Sequence, residues 1–176
     1  MPASSRFIFI RHSIPEMDFS VPSSTWGLTS EGRDKSVELA PRVAEYAPIR
    51  IYTGPEPKMR QTGELIGREI GVPVEPVPGL QEHMRPVMPY RGPDEWHALI
   101  QRLFEEPDRR ILGDETASAC LQRFSEAVDT LAERHGDHPF AVVSGATAIS
   151  LYAARRTARD GFEIWRALDM PDLLVL

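Results

Sequence analysis

Residues 7–13 have the sequence Phe-Ile-Phe-Ile-Arg-His-Ser, in which four apolar residues run directly into an arginine and a histidine. An uninterrupted apolar run of this length is typical of a strand that is buried on both faces of a sheet. Similar runs at 49–52 and 140–143 predict two more strands. Segments with helical spacing separate them, so we expect a three-layer α/β/α sandwich with a mostly parallel central sheet.

Length and composition predict one soluble domain. The 176 residues suffice for one substantial core, so a single domain over 1–176 is expected, with a proline-rich flap or lid at 84–115. The chain is 41% hydrophobic and 26% charged, which argues against disorder. No apolar run approaches the length of a membrane span, and the one near the N-terminus is too short for a signal peptide. We therefore expect a cytoplasmic protein with no membrane partner.

Charge and aromatic content narrow the choice of partner. The formal net charge of −6 counts against a broad nucleic-acid footprint. Trp26, Trp96 and Trp165 form no spaced series, so no stacking platform is expected. The single cysteine excludes an internal disulfide, and no cluster has the spacing of metal ligands. Composition alone does not name a function or a partner, and the oligomeric state stays open.

The ends of the predicted strands carry the polar residues. Ligands of parallel α/β sheets bind at the carboxyl ends of the strands, which here are followed by Arg11-His12, Thr53-Gly54 and Ser144-Gly145. A neutral imidazole is a competent nucleophile, and a neighbouring guanidinium can hold the anion that it attacks. This pair makes His12 the leading candidate for a catalytic residue.

Six motifs occur in a fixed order along nearly the whole chain. They are Phe-Ile-Arg-His-Ser at 9–13, Leu-Thr-Ser-Glu-Gly-Arg at 28–33, Gly-Pro-Glu-Pro-Lys-Met-Arg-Gln-Thr at 54–62, Leu-Gln-Glu at 80–82, Gly-Asp-Glu-Thr at 113–116 with Arg123, and Val-Val-Ser-Gly-Ala-Thr at 142–147. This series resembles the histidine phosphatase superfamily, also called the phosphoglycerate mutase-like family.

The resemblance implies phosphoryl transfer through a phosphohistidine, without a metal or an organic cofactor, so activity should survive a chelator. His12 corresponds to the nucleophile, and Glu82 to the residue that protonates the leaving oxygen and then activates water. A phosphate-binding role is implied for a further set of residues, namely Arg11, Lys58, Arg60, Ser144 and Gly145.

Three positions depart from the family pattern. Ser13 replaces a glycine, and Lys58 stands in the place of an arginine, with Arg60 as the alternative cation. Gly145 replaces the family's second histidine, which donates a hydrogen bond to the phosphoryl group. Loss of such a donor typically lowers the rate by about 10²–10³-fold. Gly145→His is therefore expected to raise activity by about 10-fold or more.

Two functions remain open at this point. The first is a hydrolase, a weak phosphomonoesterase that acts on a small phosphorylated molecule through His12. The second is a degenerate member, a pseudoenzyme that binds a phosphorylated ligand or a protein partner without turnover. The retained Arg11, His12 and Glu82 favour the first function, whereas Lys58 and Gly145 favour the second.

Overall fold

A five-stranded sheet forms the centre of the computed structural model, which describes residues 7–87 and 90–176. The strand order is β3-β2-β4-β1-β5, with four parallel strands and β5 antiparallel at one edge. The strands are β1 (Phe7–Arg11), β2 (Ile51–Thr53), β3 (Val74–Pro76), β4 (Phe140–Ser144) and β5 (Asp172–Val175). The expected mostly parallel sheet is confirmed.

Six helices of the described residues cover the two faces of this sheet. They are α1 (Ser30–Ala44), α2 (Pro57–Ile70), α3 (Pro93–Glu105), α4 (Ala117–His135), α5 (Ala146–Thr157) and α6 (Gly161–Ala167). Local signals set several of their ends. The Thr29 side chain accepts from the Gly32 N–H at the start of α1, and Gly71 ends α2 at a φ of 70°, which favours glycine.

The core is divided by the sheet, because successive side chains of a strand point to opposite faces. Phe7 and Phe9 of β1 pack on the face covered by α4 and α5, while Ile8 and Ile10 pack on the face covered by α1 and α2. Both faces are buried, which explains the uninterrupted apolar run of β1. The three-layer arrangement expected from the sequence is confirmed.

The carboxyl ends of β1, β2 and β4 lie side by side. Arg11 pairs in register with Ser144, and Thr53 pairs with Val143. The expected flap region contains α3 and irregular chain on both sides of it, while Met88 and Pro89 lie outside the described residues. Among the helices of the described residues, none has the length and apolar character needed to cross a membrane.

Candidate active site

A cavity of about 470 Å³ opens at the carboxyl edge of the sheet. Its lining includes Arg11 and His12 from the end of β1, Lys58 from α2, and Glu82 from the loop after β3. Four of the residues predicted from the sequence therefore meet in one cavity, as the positions of the strand ends require.

His12 is held as a neutral imidazole. Its ring is 7% exposed, and Nδ1 lies 2.8 Å from the backbone oxygen of Ser13. A carbonyl oxygen can only accept, so Nδ1 carries the proton and Nε2 keeps a lone pair. This tautomer is the one that a nucleophilic imidazole requires.

The surroundings of His12 favour the same state. Burial lowers the pKa of His12, and the positive charges of Lys58 and Arg11 lower it further, so that it lies at about 3 against the ordinary 6.5. The hydrogen bond to Ser13 and the charge of Glu82 oppose this shift without reversing it. His12 is therefore unprotonated at neutral pH.

Arg11 lies against the wall of the cavity, anchored by one end of its guanidinium. Nη1 donates to the carbonyl oxygen of Leu168 at 2.6 Å, whereas Nε is buried without a hydrogen-bond partner. A buried donor without a partner is costly, so a negative charge in the cavity would stabilise the guanidinium. Arg11 can thus bind a phosphate oxygen while its other end remains fixed.

Lys58, which stands in the place of the family's arginine, is held by two oxygen acceptors. Its side chain is 4% exposed, and Nζ donates to the Glu56 carboxylate at 2.5 Å and to the carbonyl oxygen of Ser23. These contacts occupy two of the three ammonium hydrogens, which leaves one for a ligand oxygen. Glu56 also accepts from the Glu82 backbone N–H at 2.9 Å, so it links the two residues.

The Glu82 carboxylate lies on the N-terminus of α5. It accepts from the backbone N–H groups of Thr147 at 3.0 Å and Ala148 at 2.9 Å, and from that of His83 at 2.8 Å. The residue before α5 is Gly145, which provides no side-chain cap. Glu82 therefore supplies the N-cap of α5 from a distant segment, and its charge favours the positive end of the helix.

Gly145 is what permits this contact. A Cβ at this position would lie 2.2 Å from Oε2, 2.3 Å from Cδ and 2.8 Å from Cβ of Glu82. The imidazole of Gly145→His, a variant expected to raise activity, would have to enter space that Glu82 fills. Any side chain at 145 must first displace Glu82 from α5.

The position of Glu82 keeps it ionised. Burial by itself raises the pKa of Glu82, but Arg85 and the N–H groups of His83, Thr147 and Ala148 outweigh burial and hold it well below the ordinary range. A general acid must carry a proton, so in this state Glu82 is prepared to accept a proton rather than to donate one.

Sequence analysis did not single out Arg85 as a functional residue. Its Nη2 donates to the Thr147 hydroxyl at 2.7 Å, its guanidinium lies over the Trp96 ring at 5.0 Å, and it lines the cavity. Arg85 belongs to the proline-rich segment of the expected flap, where no spacing distinguishes one arginine from another. Its position depends on packing against α5 and α3.

A second network, behind the cavity, positions Glu82 through its backbone. Arg123 forms a two-point ion pair with Glu115, at 2.9 and 3.0 Å, and donates to the carbonyl oxygens of Gly79 at 2.7 Å and Glu82 at 3.2 Å. The Glu115 carboxylate also accepts from the Met84 N–H at 2.8 Å. These bonds hold the loop on both sides of Glu82.

Three of the predicted phosphate-binding residues are not brought to the cavity wall. Arg60 lies on the exposed side of α2, 3.9 Å from Glu64, because it is two residues beyond the inward-facing Lys58. The hydroxyl of Ser144 donates to the Leu80 carbonyl at 2.6 Å and is fully buried. Gly145 is covered by Glu82. None of the three is among the lining residues.

Although the tryptophans form no spaced series in the sequence, they lie together in the structure. All three tryptophans of the chain, Trp26, Trp96 and Trp165, line this one cavity. They come from three segments that only the tertiary fold brings together, so their separation along the sequence carried no signal. Within residues 7–87 and 90–176, no group of three or more His, Cys, Asp or Glu side chains is placed to hold a metal ion.

The family model of the histidine phosphatase superfamily (branch 1) matches residues 7–172. No curated protein matches the sequence.

Solved structures of phosphatases have the same fold. A mycobacterial glucosyl-3-phosphoglycerate phosphatase is 17% identical, with a TM-score of 0.73 over 94% of this chain and 84% of its own. The α-ribazole phosphatase of Shigella flexneri is 18% identical, with a TM-score of 0.69 over 92% and 84%. A phosphoserine phosphatase mutant of Entamoeba histolytica, bound to phosphoserine, is 13% identical, with a TM-score of 0.67 over 96% and 93%.

These structural likenesses concern the fold, whereas the family match covers nearly all of the sequence and supports a function in phosphoryl transfer. The chain belongs to the histidine phosphatase superfamily, branch 1.

Proposed function

We propose that this protein is a phosphomonoesterase that hydrolyses a small phosphorylated molecule through a phosphohistidine at His12. The observation that carries the proposal is the state of His12. It is a buried, neutral imidazole with its Nδ1 proton held by a carbonyl, and it shares a cavity with Arg11 and Lys58. Such a nitrogen nucleophile beside two cations suits attack on an anionic phosphoryl group.

In the first step, the Nε2 lone pair of His12 forms a bond to phosphorus while the bond from phosphorus to the leaving oxygen breaks. The Arg11 guanidinium and the remaining hydrogen of Lys58 Nζ bind the non-bridging oxygens. Glu82 protonates the leaving oxygen. Binding of the phosphate dianion supplies the required proton affinity, because a nearby negative charge raises the pKa of a carboxyl group.

In the second step, water attacks phosphorus and the phosphorus–nitrogen bond breaks. Glu82, now a carboxylate again, takes the proton from the water. Phosphate leaves, and His12 returns to its neutral form with Nδ1 still protonated. Glu82 is well suited to this half of the reaction, since its ordinary state in the free protein is the ionised one.

Arg85 takes the part of the donor that Gly145 lacks. It is the cation that lowers the pKa of Glu82 most strongly, and it lies at the same end of the cavity. A guanidinium offers five N–H donors, of which one is used at Thr147 and one is directed toward His83 at 3.4 Å. The others suit a phosphoryl oxygen, where charge develops in the transition state.

Binding without turnover is the second candidate, and the position of Glu82 favours it. Three backbone N–H groups and Arg85 stabilise the carboxylate in its ionised form, so protonation for the first step works against all four contacts. A protein that binds a phosphate group at Arg11, His12 and Lys58 without cleaving the ester would have the same cavity.

Hydrolysis of p-nitrophenyl phosphate, measured for the wild type and for His12→Ala, separates these two functions. We expect turnover by the wild type that exceeds the variant by at least about 10³-fold, the size of effect that follows loss of a nucleophile. Rapid quenching should trap an acid-labile phosphoryl group on the wild type only.

Equal rates for the two proteins, with no trapped phosphoenzyme, would overturn the phosphatase proposal. Titration with inorganic phosphate would then measure binding directly, and Lys58→Met serves as the variant with one fewer cation at the cavity.

A further inference from the structure

Much of the remaining lining of the cavity is aromatic. Five rings line it, and we refer to them together as the aromatic wall: Phe19, Trp26, Tyr90, Trp96 and Trp165. Ligand sites are typically 300–1,000 Å³ in volume, lined by apolar and aromatic side chains with a few polar groups that fix orientation. The volume of about 470 Å³ is in this range and leaves room beyond the phosphate group.

Three rings of this wall contact one another. Phe19 stacks on Tyr90 with a centroid distance of 5.0 Å and an interplanar angle of 9°, and it meets Trp26 edge-on at 5.6 Å. Trp26 is fixed by an Nε1–H bond to the Asp18 carbonyl at 2.9 Å. The one polar atom of this indole is thus already used, so the ring presents only carbon to the cavity.

Exposed apolar residues are concentrated at the mouth of the same cavity. Among the large hydrophobic residues that are exposed, four line it: Met17 at 59%, Phe19 at 41%, Val21 at 38% and Tyr90 at 46%. Scattered apolar residues on a surface are ordinary, but a contiguous group around a cavity marks a binding site.

Two arginines that line the cavity, Arg91 and Arg166, form exposed ion pairs. Arg91 pairs with Glu95 at 3.7 Å, and Arg166 pairs with Glu163 at 2.7 Å. The five rings of the wall offer contact area to an apolar ring, whereas a sugar or a hydroxy acid gains little from them. The wall therefore suits a ring better than a polyol.

We propose that the phosphomonoester taken by this site carries an apolar aromatic group, which lies against the aromatic wall while its phosphate lies against His12. This inference rests on the proposed phosphatase function and specifies its substrate class. Arg85 marks the boundary between the two parts, since its guanidinium lies over Trp96 and also donates to Thr147.

The test compares two esters with chemically equivalent leaving groups, 3-phenylpropyl phosphate and propyl phosphate. Both release a primary alcohol, so a difference in kcat/KM reports the contact of the ring rather than the ease of bond cleavage. Burial of a phenyl group predicts that the wild type favours the phenyl ester by about 10–100-fold.

Trp96→Ala should reduce this preference by about 10-fold. Because the Trp96 ring also lies under the Arg85 guanidinium, the readout is the ratio of kcat/KM for the two esters and not either value alone. Trp96→Phe should retain most of the preference. Trp96 also packs against the core, so Phe19→Ala, at a half-exposed position, is the second variant. Tyr46→Ala removes an exposed ring outside the cavity and is the matched control, with no expected change.

Failure of this inference can be told apart from failure of the proposed function. Equal kcat/KM for the two esters in the wild type, or an unchanged preference in both Trp96→Ala and Phe19→Ala, overturns the aromatic substrate class and leaves the phosphatase standing. If neither ester is hydrolysed above the His12→Ala rate, the phosphatase fails, and calorimetric Kd values for the two esters decide the inference. A Kd ratio near one overturns it, and a ratio of about 10 or more supports it.

Discussion

Two groups of residues line the cavity and are built in different ways: the catalytic residues, which we call the catalytic end, and the aromatic wall. The catalytic end takes its residues from the ends of β1, the start of α2 and the loop after β3, and most of these groups are buried and partnered, as Lys58 is with Glu56. The aromatic wall takes its residues from loops and from helices outside the sheet, and several of its rings are half-exposed.

Residues that hold the reacting group and residues that only contact the ligand thus come from different parts of the fold. Side chains that must hold a reacting atom within a fraction of an ångström are placed on rigid elements and fixed by neighbours. Side chains that only contact a ligand can lie on connecting segments, which change without disturbing the sheet. We therefore expect the catalytic end to determine kcat and the aromatic wall to determine which ester is preferred.

Arg85 precedes Tyr90 of the aromatic wall in the same segment, yet we propose that it contacts the phosphoryl group. Among the variants that keep His12, loss of Arg85 should therefore lower kcat most. Arg85→Ala should lower kcat for propyl phosphate by about 10²-fold or more, as loss of a transition-state donor does. Arg85→Lys should restore part of it, since the charge returns without the planar fork. Steady-state kinetics with both variants measures the effect.

Arg91→Ala is the control for this prediction. Arg91 also lines the cavity but is exposed and paired with Glu95, so its loss should change kcat little. If Arg85→Ala changes only the preference between the two esters and leaves kcat intact, Arg85 contacts the leaving group with the aromatic wall and does not act on the phosphoryl group.

Gly145→Ala tests the contact between Glu82 and α5 through the free energy of unfolding, without a measurement of activity. The added Cβ pushes Glu82 away from the N–H groups of Thr147 and Ala148, so the free energy of unfolding should fall by about 1–3 kcal/mol at neutral pH. The same substitution in a Glu82→Ala background should cost much less, because the two residues are coupled. Urea unfolding of all four proteins completes the cycle, and equal costs in both backgrounds would exclude Glu82 as the cause.

The smallest expected effect is a pH dependence of stability from His12. The folded pKa lies at about 3, below the ordinary 6.5, so the unfolded chain binds a proton between these values that the folded chain does not. Stability should therefore fall as the pH drops from 6.5 toward 3, with a share from His12 of about 1–2 kcal/mol at pH 5.

His12→Gln isolates this share. The pKa values of His83 and His135 are also lowered, chiefly by burial, so part of the fall will persist in the variant. The decrease in urea midpoint between pH 7 and pH 5 should be shallower for His12→Gln than for the wild type. An identical decrease in both proteins would mean that His12 titrates normally and is open to solvent.

Much of the catalytic end could be predicted because it depends on local order. The apolar run of β1 ends at Arg11 and His12, and a parallel sheet brings strand ends to one edge whatever the details of packing. The contact of Glu82 with α5 could not be predicted in this way. It depends on the absence of a Cβ at Gly145 and on a loop held by Arg123, which join three distant segments.

The spacing of apolar residues along the sequence was enough to identify the strands that are buried on both faces. It also identified where these strands end and which polar residues follow them. Only the tertiary structure decided that Trp26, Trp96 and Trp165 share a cavity, that Arg60 faces outward from α2, and that Glu82 caps α5. Strand and helix periods arise from the backbone and repeat within a few residues. Contacts between loops depend instead on how whole elements pack, and no short stretch of sequence records that packing.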